Sequence, residues 1–192
     1  MKKLSMLAVV AASAFGMAFA DAPISVGLKI DHPKAEITKT DDGKDNNSNS
    51  RGTHVTTEVK KSVFHYPCKV SCNPPKDKTV TVKVEAYFIT RSLEKGAKDE
   101  LGDRIDVETF EFGGENPKQY KFDLASPAIE QTTVTKKTVS RRNIRTQDEK
   151  SGKRLMGVIV RAVVDGKPVK VVSEPSNMRW IAAGKKDTVE LQ

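Results

Sequence analysis

Apolar and polar residues alternate along most of this chain, and a period of two is the pattern of half-buried β-strands. Ile24, Val26, Leu28 and Ile30 alternate with Ser25, Gly27, Lys29 and Asp31, which predicts a strand over 24–30 that ends at His32-Pro33. Val55, Thr57 and Val59, then Val63, Phe64 and Tyr66, carry strand chemistry over 53–66. The clearest run is 79–91, where Val80, Val82, Val84, Ala86 and Phe88 line one face against Thr81, Lys83, Glu85 and Tyr87. Its length predicts a central or bent strand. Residues 104–112 and 118–124 also alternate, and the Gly113-Gly114-Glu115-Asn116-Pro117 cluster between them predicts a hairpin with a long loop. Residues 128–139 are threonine-rich with few apolar positions and read as a weaker, edge strand. The apolar run 155–165 ends in Asp165-Gly166, a dipeptide suited to the positive backbone angles of a two-residue hairpin turn. Val169, Val171 and Val172 return along the partner strand, with Pro168 placed where no ladder donor is needed.

Other stretches break the pattern. Residues 40–52 contain no apolar side chain and read as a mobile loop, since burial cannot offset its ordering entropy. Its acidic start lacks the ligand spacing and closing Glu of a calcium loop. Residues 92–103 suit a short helical turn anchored only by Leu93 and Leu101. Residues 176–182, with Met178, Trp180 and Ile181, read as a last strand or a packed tail, and 183–192 as a polar, frayed end. Seven to nine short strands with few helices predict an all-β fold: an antiparallel β-sandwich, immunoglobulin-like in the broad sense.

The first twenty residues follow a different logic. Lys2 and Lys3 precede an apolar run over 4–14, and Ala18-Phe19-Ala20 supplies the small residues of a cleavage site before Asp21. This predicts a signal peptide over 1–20 and a single domain over 21–182. Removing 20 of the 192 residues leaves 172, enough to bury a core. Loss of the two signal lysines lowers the formal charge from +8 to +6. No later stretch is apolar enough to span a membrane, so the expected location is the periplasm, the outer membrane periphery or the cell surface. In an exported chain the two cysteines, Cys68 and Cys72, imply a disulfide closing a small, rigid turn. A zinc site wants further ligands near by, and a redox pair wants two intervening residues rather than three.

No motif for catalysis is present, and no cofactor or metal is expected. His32, His54 and His65 sit on strands or turns without nucleophile partners, and Glu108 and Glu111 are three apart on a strand, which places them on opposite faces. Charge is more informative. Lys136, Lys137, Arg141, Arg142 and Arg145 form an acid-free basic segment, and Lys153 and Arg154 follow. Together they form a candidate polyanion site, with acidic or sulfated glycans as the ligand class. Nucleic acid is not expected, because no aromatic platform lies between Phe122 and Trp180.

The exported start, the strand Val80-Thr-Val-Lys-Val-Glu-Ala-Tyr-Phe88 and the hairpin Gly157-Val-Ile-Val-Arg-Ala-Val-Val-Asp-Gly-Lys-Pro-Val169 resemble small secreted verrucomicrobial proteins. That group includes immunoglobulin-like proteins associated with type IV pili. The resemblance covers about half the chain and implies a surface β-sandwich in adhesion or pilus assembly. The resulting expectation is a non-enzymatic binding or assembly module at the bacterial envelope. It would meet an envelope or pilus protein, or further copies of itself in a homo-oligomer, by strand addition at 24–30 or 128–139. Glycan binding through the basic segment and a cryptic envelope hydrolase are the competing readings.

Overall fold

The structure, a computed structural model, describes residues 24–42, 52–140 and 143–176. The expected signal segment, residues 43–51 of the expected loop, Arg141, Arg142, Trp180 and the expected polar end all lie outside the described residues. Among the described residues ten antiparallel strands follow one another: β1 (Ser25–Ile30), β2 (Lys34–Asp42), β3 (Gly52–Asn73), β4 (Val80–Ser92), β5 (Asp99–Leu101), β6 (Ile105–Phe112), β7 (Gln119–Ala125), β8 (Ile129–Val139), β9 (Ile144–Val164) and β10 (Lys167–Glu174). The fold is all-β, as the alternation predicts, and its strands stack as a sandwich. The ten strands exceed the expected seven to nine, and residues 92–103 form turns and β5 instead of a helical turn.

Two sheets face each other across one core. The first has the order β1–β3–β7 and uses residues 65–73 of β3. The second has the order β10–β9–β4, with β6 and β5 sharing the far edge of β4. Val26 and Leu28, then Tyr66, Cys68, Val70 and Cys72, point inward from the first sheet. Val80, Val82, Val84, Ala86 and Phe88 meet them from β4, and Val158, Val160, Ala162 and Val164 from β9. All are even-numbered, so within each strand they share one face. Phe110 packs on Tyr120 and Phe122, with ring centroids 5.0 and 5.3 Å apart. Those contacts join β6 of one sheet to β7 of the other.

β6 and β7 are therefore not a hairpin: β6 pairs with β4 and β7 with β3, so the glycine-rich connection crosses between sheets. The phase of β6 also shifts. Phe110 and Phe112 are even, whereas Ile105 and Val107 are odd, yet all four pack on the core. A β-bulge opposite Val84 and Glu85 inserts the extra residue that reconciles the two phases. Asp165 (φ 51°) and Gly166 (φ 74°) close the predicted β9–β10 hairpin, and Pro168 lies on β10, an edge strand paired only with β9.

β3 and β9 are longer than any sandwich layer, at 22 and 21 residues. Their first halves leave the body together. Residues 52–62 of β3 pair with β8 on one side, residues 57–65 pair with β2 on the other, and residues 144–152 of β9 pair with the far side of β8. The result is a four-stranded arm of order β2–β3–β8–β9. At roughly 3.3 Å per residue it reaches about 30 Å from the body. Ser62 and Ile129 form its first buried pair, and beyond them its residues are half-buried or exposed. This corrects two sequence expectations. Residues 40–42 lie in β2 rather than in a loop, and 128–139 is an inner strand rather than an edge.

β9 bends where it passes from arm to sheet. Gly152 has φ +102°, and a Cβ there would run into the carbonyl oxygen of Glu130. Gly114 has φ +60° but open space around it. Gly152→Ala is therefore expected to cost about 2 kcal/mol or more in urea unfolding, and Gly114→Ala only about 1 kcal/mol. Equal losses would show that the bend tolerates a side chain.

Candidate functional site

The arm is the feature most unlike a stability element. Every residue of β2 over 34–41 and of β9 over 144–154 is exposed apart from their backbone pairing, so neither face carries a second layer. Short polar contacts hold it instead. On one face Lys61 bridges to Glu130 (3.3 Å), Lys136 to Glu149 (3.1 Å), and the Thr53 and Thr138 hydroxyls lie 3.3 Å apart. On the other, Lys39 bridges to Glu58 (3.1 Å) and the Thr135 hydroxyl donates to Asp148 (2.8 Å). Such cross-strand pairs contribute a few tenths of a kcal/mol each, up to about 1 kcal/mol. Threonine suits the pleat without needing a core. Ile37 is 48% exposed on the β2 edge and Ile144 is 65% exposed on the β9 edge. Among the described residues both edge strands have one neighbour only within the arm, so each presents an edge of backbone groups.

The junction between arm and body is built around β3. At this level β2 gives way to β1 along one edge and β8 to β7 along the other. Pro67 lacks a donor and sits in the first of these gaps, where its carbonyl accepts from the Asp31 N–H (2.9 Å). In the second gap the Ser126 hydroxyl accepts from the Phe64 N–H (2.9 Å), and the Ser126 N–H donates to the Phe64 carbonyl (2.8 Å). His65 lies between them. Its Nδ1 is 2.6 Å from Asp123 of β7, and its Nε2 is 3.6 Å from Glu36 of β2. The hydrogen bond to Asp123 raises the imidazole above its ordinary value, burial opposes this, and the charges of Asp123 and Glu36 add to the rise.

The basic constellation does not assemble into one patch. Successive residues point to opposite faces, so Lys136 shares a face with Arg145 while Lys137 lies opposite, across from His54 and Thr146. Lys136 is engaged by Glu149. Lys153 and Arg154 lie at the base of the arm, where Lys153 bridges to Glu100 (2.8 Å) and Arg154 stands opposite Arg91. Arg141 and Arg142 lie outside the described residues. Among the other polar candidates, His32 contacts Glu174 (2.7 Å) and so ties β1's exit to β10.

The cysteine expectation is overturned. Cys68 and Cys72 both sit on β3, not in a turn, and both are unbonded. Four residues of extended chain separate their Cα atoms by roughly 13 Å, while a disulfide needs about 4.4–6.8 Å. Both thiols are buried in the core, and burial pushes Cys68 up to about 12 and Cys72 above its usual value. They act as small apolar fillers. Among the described residues no group of three or more metal-ligating side chains converges. An open cavity of about 460 Å³ is lined by Asn73, Lys76, Asp77, Gly113 and Lys118. No described helix is long and apolar enough to cross a membrane.

The sequence reading passed over an ionic cluster on the outer face of the second sheet. Arg161 Nε donates to Glu85 Oε2 (2.5 Å), and the guanidinium lies 5.2 Å from the Tyr87 ring centroid. Lys83 and Arg104 approach the other Glu85 oxygen at 3.5 and 3.8 Å. The available signal was Arg161 itself, a lone charge inside the apolar run Val158-Ile-Val-Arg-Ala-Val-Val164. No protein-family model matches the chain, and no curated protein matches it either.

Two outcomes are expected from this geometry. The native chain should resist iodoacetamide at both cysteines, and the urea-unfolded chain should take two labels without added reductant; a bridged pair would take none. For His65, the raised folded value means that its contact stabilises fully below the unfolded value near 6.5 and is lost as pH rises through the folded one. The advantage of wild type over Asp123→Asn in urea midpoint should therefore be larger on the acid side and shrink towards alkaline pH. A pH-independent difference would remove His65 as its cause.

Proposed function

We propose that this chain is an exported, non-enzymatic binding or assembly module at the bacterial envelope, with pilus-associated adhesion as its setting. Its contact element is the arm. One observation carries this reading: some forty residues form a projecting sheet with both faces exposed and two unpaired edges. A single layer buries little apolar area and so adds little to stability. Reach and exposed backbone are what it supplies, and both suit strand addition by an extended partner segment. Charges spaced along the edges, at Lys34, Glu36 and Lys39 of β2 and at Asp148, Glu149 and Lys150 of β9, disfavour indiscriminate pairing.

The body supports the immunoglobulin-like reading. Its order, β1–β3–β7 against β10–β9–β4–β6, is the order expected for such a sandwich with an added strand beside the third. The lysine-led apolar start with Ala18-Phe19-Ala20 supports export. Of the two edges weighed from sequence, 24–30 is an edge in the body, whereas the role given to 128–139 passes to the strands flanking it, β2 and the outer half of β9. Glycan binding has weaker support, because its cations are divided between two faces and the base of the arm.

Affinity capture from the envelope of the producing cell tests the reading. The bait is the wild-type chain beside the double variant Ile37→Lys, Ile144→Lys, which adds charge at two exposed edge positions. Recovery of the partner, or of further copies of the chain, should fall several-fold while the β-type circular dichroism spectrum is retained. Undiminished recovery by a folded double variant would take the contact away from the arm.

A further inference from the structure

One edge of the arm is complementary to itself. β9 pairs with β8 over 144–152, and among the described residues no strand lies on its other side from Ile144 to Ser151, where every residue is exposed. That open stretch has fixed ends. At the tip the Ser140 N–H donates to the Asn143 carbonyl (2.9 Å) and closes the β8–β9 turn. At the base the Gly152 carbonyl already accepts from the Leu93 N–H, just past the end of β4 (2.9 Å). The next carbonyl, that of Lys153, accepts from the Gln131 side chain of β8 (3.1 Å), so the open edge lies on the β4 side of β9.

Backbone parity decides which residues offer hydrogen-bonding groups along it. In an antiparallel pair, residues alternate between exchanging bonds with their partner and pointing them away. Asn143 faces β8, so along the regular β8–β9 register Arg145, Gln147 and Glu149 do too. Ile144, Thr146, Asp148 and Lys150 turn their N–H and C=O groups outward. Two copies of this edge can therefore join only by matching even residues with even. The longest antiparallel match that stops short of Leu93 sets Gln147 opposite Gln147 of a second copy. There Ile144 exchanges backbone bonds with Lys150, and Thr146 with Asp148. Arg145 stands opposite Glu149 at a non-hydrogen-bonded position, where facing side chains are closest. Twofold symmetry repeats each contact. Glu149 is already held by Lys136 (3.1 Å), and Asp148, which accepts from the Thr135 hydroxyl (2.8 Å), gains the Thr146 hydroxyl of the other copy. No like charges meet. A match two residues shorter sets Arg145 against Gln147 and loses both ion pairs.

We propose that the chain forms an antiparallel dimer through this edge, β9 of each copy pairing with β9 of the other about a twofold axis at Gln147, so that the two arms become one continuous sheet. The proposal rests on the reading of the arm as the contact element and names a second copy as the occupant of its β9 edge. Backbone bonds supply the attraction, and the paired Arg145 and Glu149 select the register.

Sedimentation velocity on the purified chain should show a monomer–dimer equilibrium that weakens with added salt. Arg145→Glu alone and Glu149→Arg alone set like charges opposite each other, and each should weaken the dimer about tenfold. An equimolar mixture of the two variants should regain the wild-type affinity, because every opposed pair is then of opposite sign; an unfolded chain cannot give that recovery. Gln147→Cys should bridge to a second copy under mild oxidation, since facing Cα atoms about 4.5 Å apart suit a disulfide. Ser151→Cys, on the same exposed strand but far from the axis, should not. A chain that stays monomeric into the millimolar range would overturn the proposal. So would a dimer indifferent to both charge changes, or bridging by Ser151→Cys as fast as by Gln147→Cys. No envelope component is present, so a monomer removes the dimer alone; failure of the arm as contact element is read separately, from undiminished envelope capture by the folded Ile37→Lys, Ile144→Lys variant.

Discussion

Two strands of more than twenty residues each are shared between two environments, and the rest of the structure depends on that sharing. β3 and β9 run unbroken from a solvated arm into a dry core. Once both are committed to the arm, with β8 between them, they enter the body already separated by a strand. One then becomes the centre of the first sheet and the other an inner strand of the second. The sandwich is thus two sheets that split from a common stem, and Gly152 marks the bend at which β9 departs. A strand that changes sheets must bend, and only a residue without a Cβ fits against the Glu130 carbonyl there.

The division between arm and body is also a division of stabilising forces. The body buries Val, Ile, Phe and two thiols between its layers, and apolar area removed from water is what holds it. The arm depends on backbone pairing, threonine contacts and exposed ion pairs, which are individually weak and sensitive to salt. Its neighbours change at His65, Pro67 and Ser126, where the polar chemistry of the arm meets the first buried residues. With few buried apolar contacts, an element of this kind opens more readily than a packed core.

The alternation of residues made most of the strands legible. The period of two named the inward faces of β1 and β4, and the Asp165-Gly166 turn with its hairpin was read from two residues. The misplaced elements share a physical cause. β2 has one isoleucine among polar residues, and its pairing comes from a neighbour rather than from burial of its own, so period and hydropathy were silent. β8 looked like an edge because few of its side chains are apolar, yet edge or centre is decided by how many strands flank it. Pro67 and the two cysteines suggested a turn because proline and paired cysteines usually mark one. A long strand accommodates the proline only where its neighbours on one side are interrupted.

By itself the sequence determined the fold class, the faces of β1 and β4 and the turn between β9 and β10, because local alternation and turn chemistry act over a few residues. The tertiary structure alone decided that β3 and β9 extend into an arm, that β6 and β7 belong to different sheets, and that Cys68 and Cys72 stand apart on one strand. It also brought Glu85, Tyr87 and Arg161 together from residues 76 positions apart and dispersed the cations that the sequence groups. The physical reason is that strand partners and the faces they share are non-local quantities, set by how distant segments pair and not by the residues within any one of them.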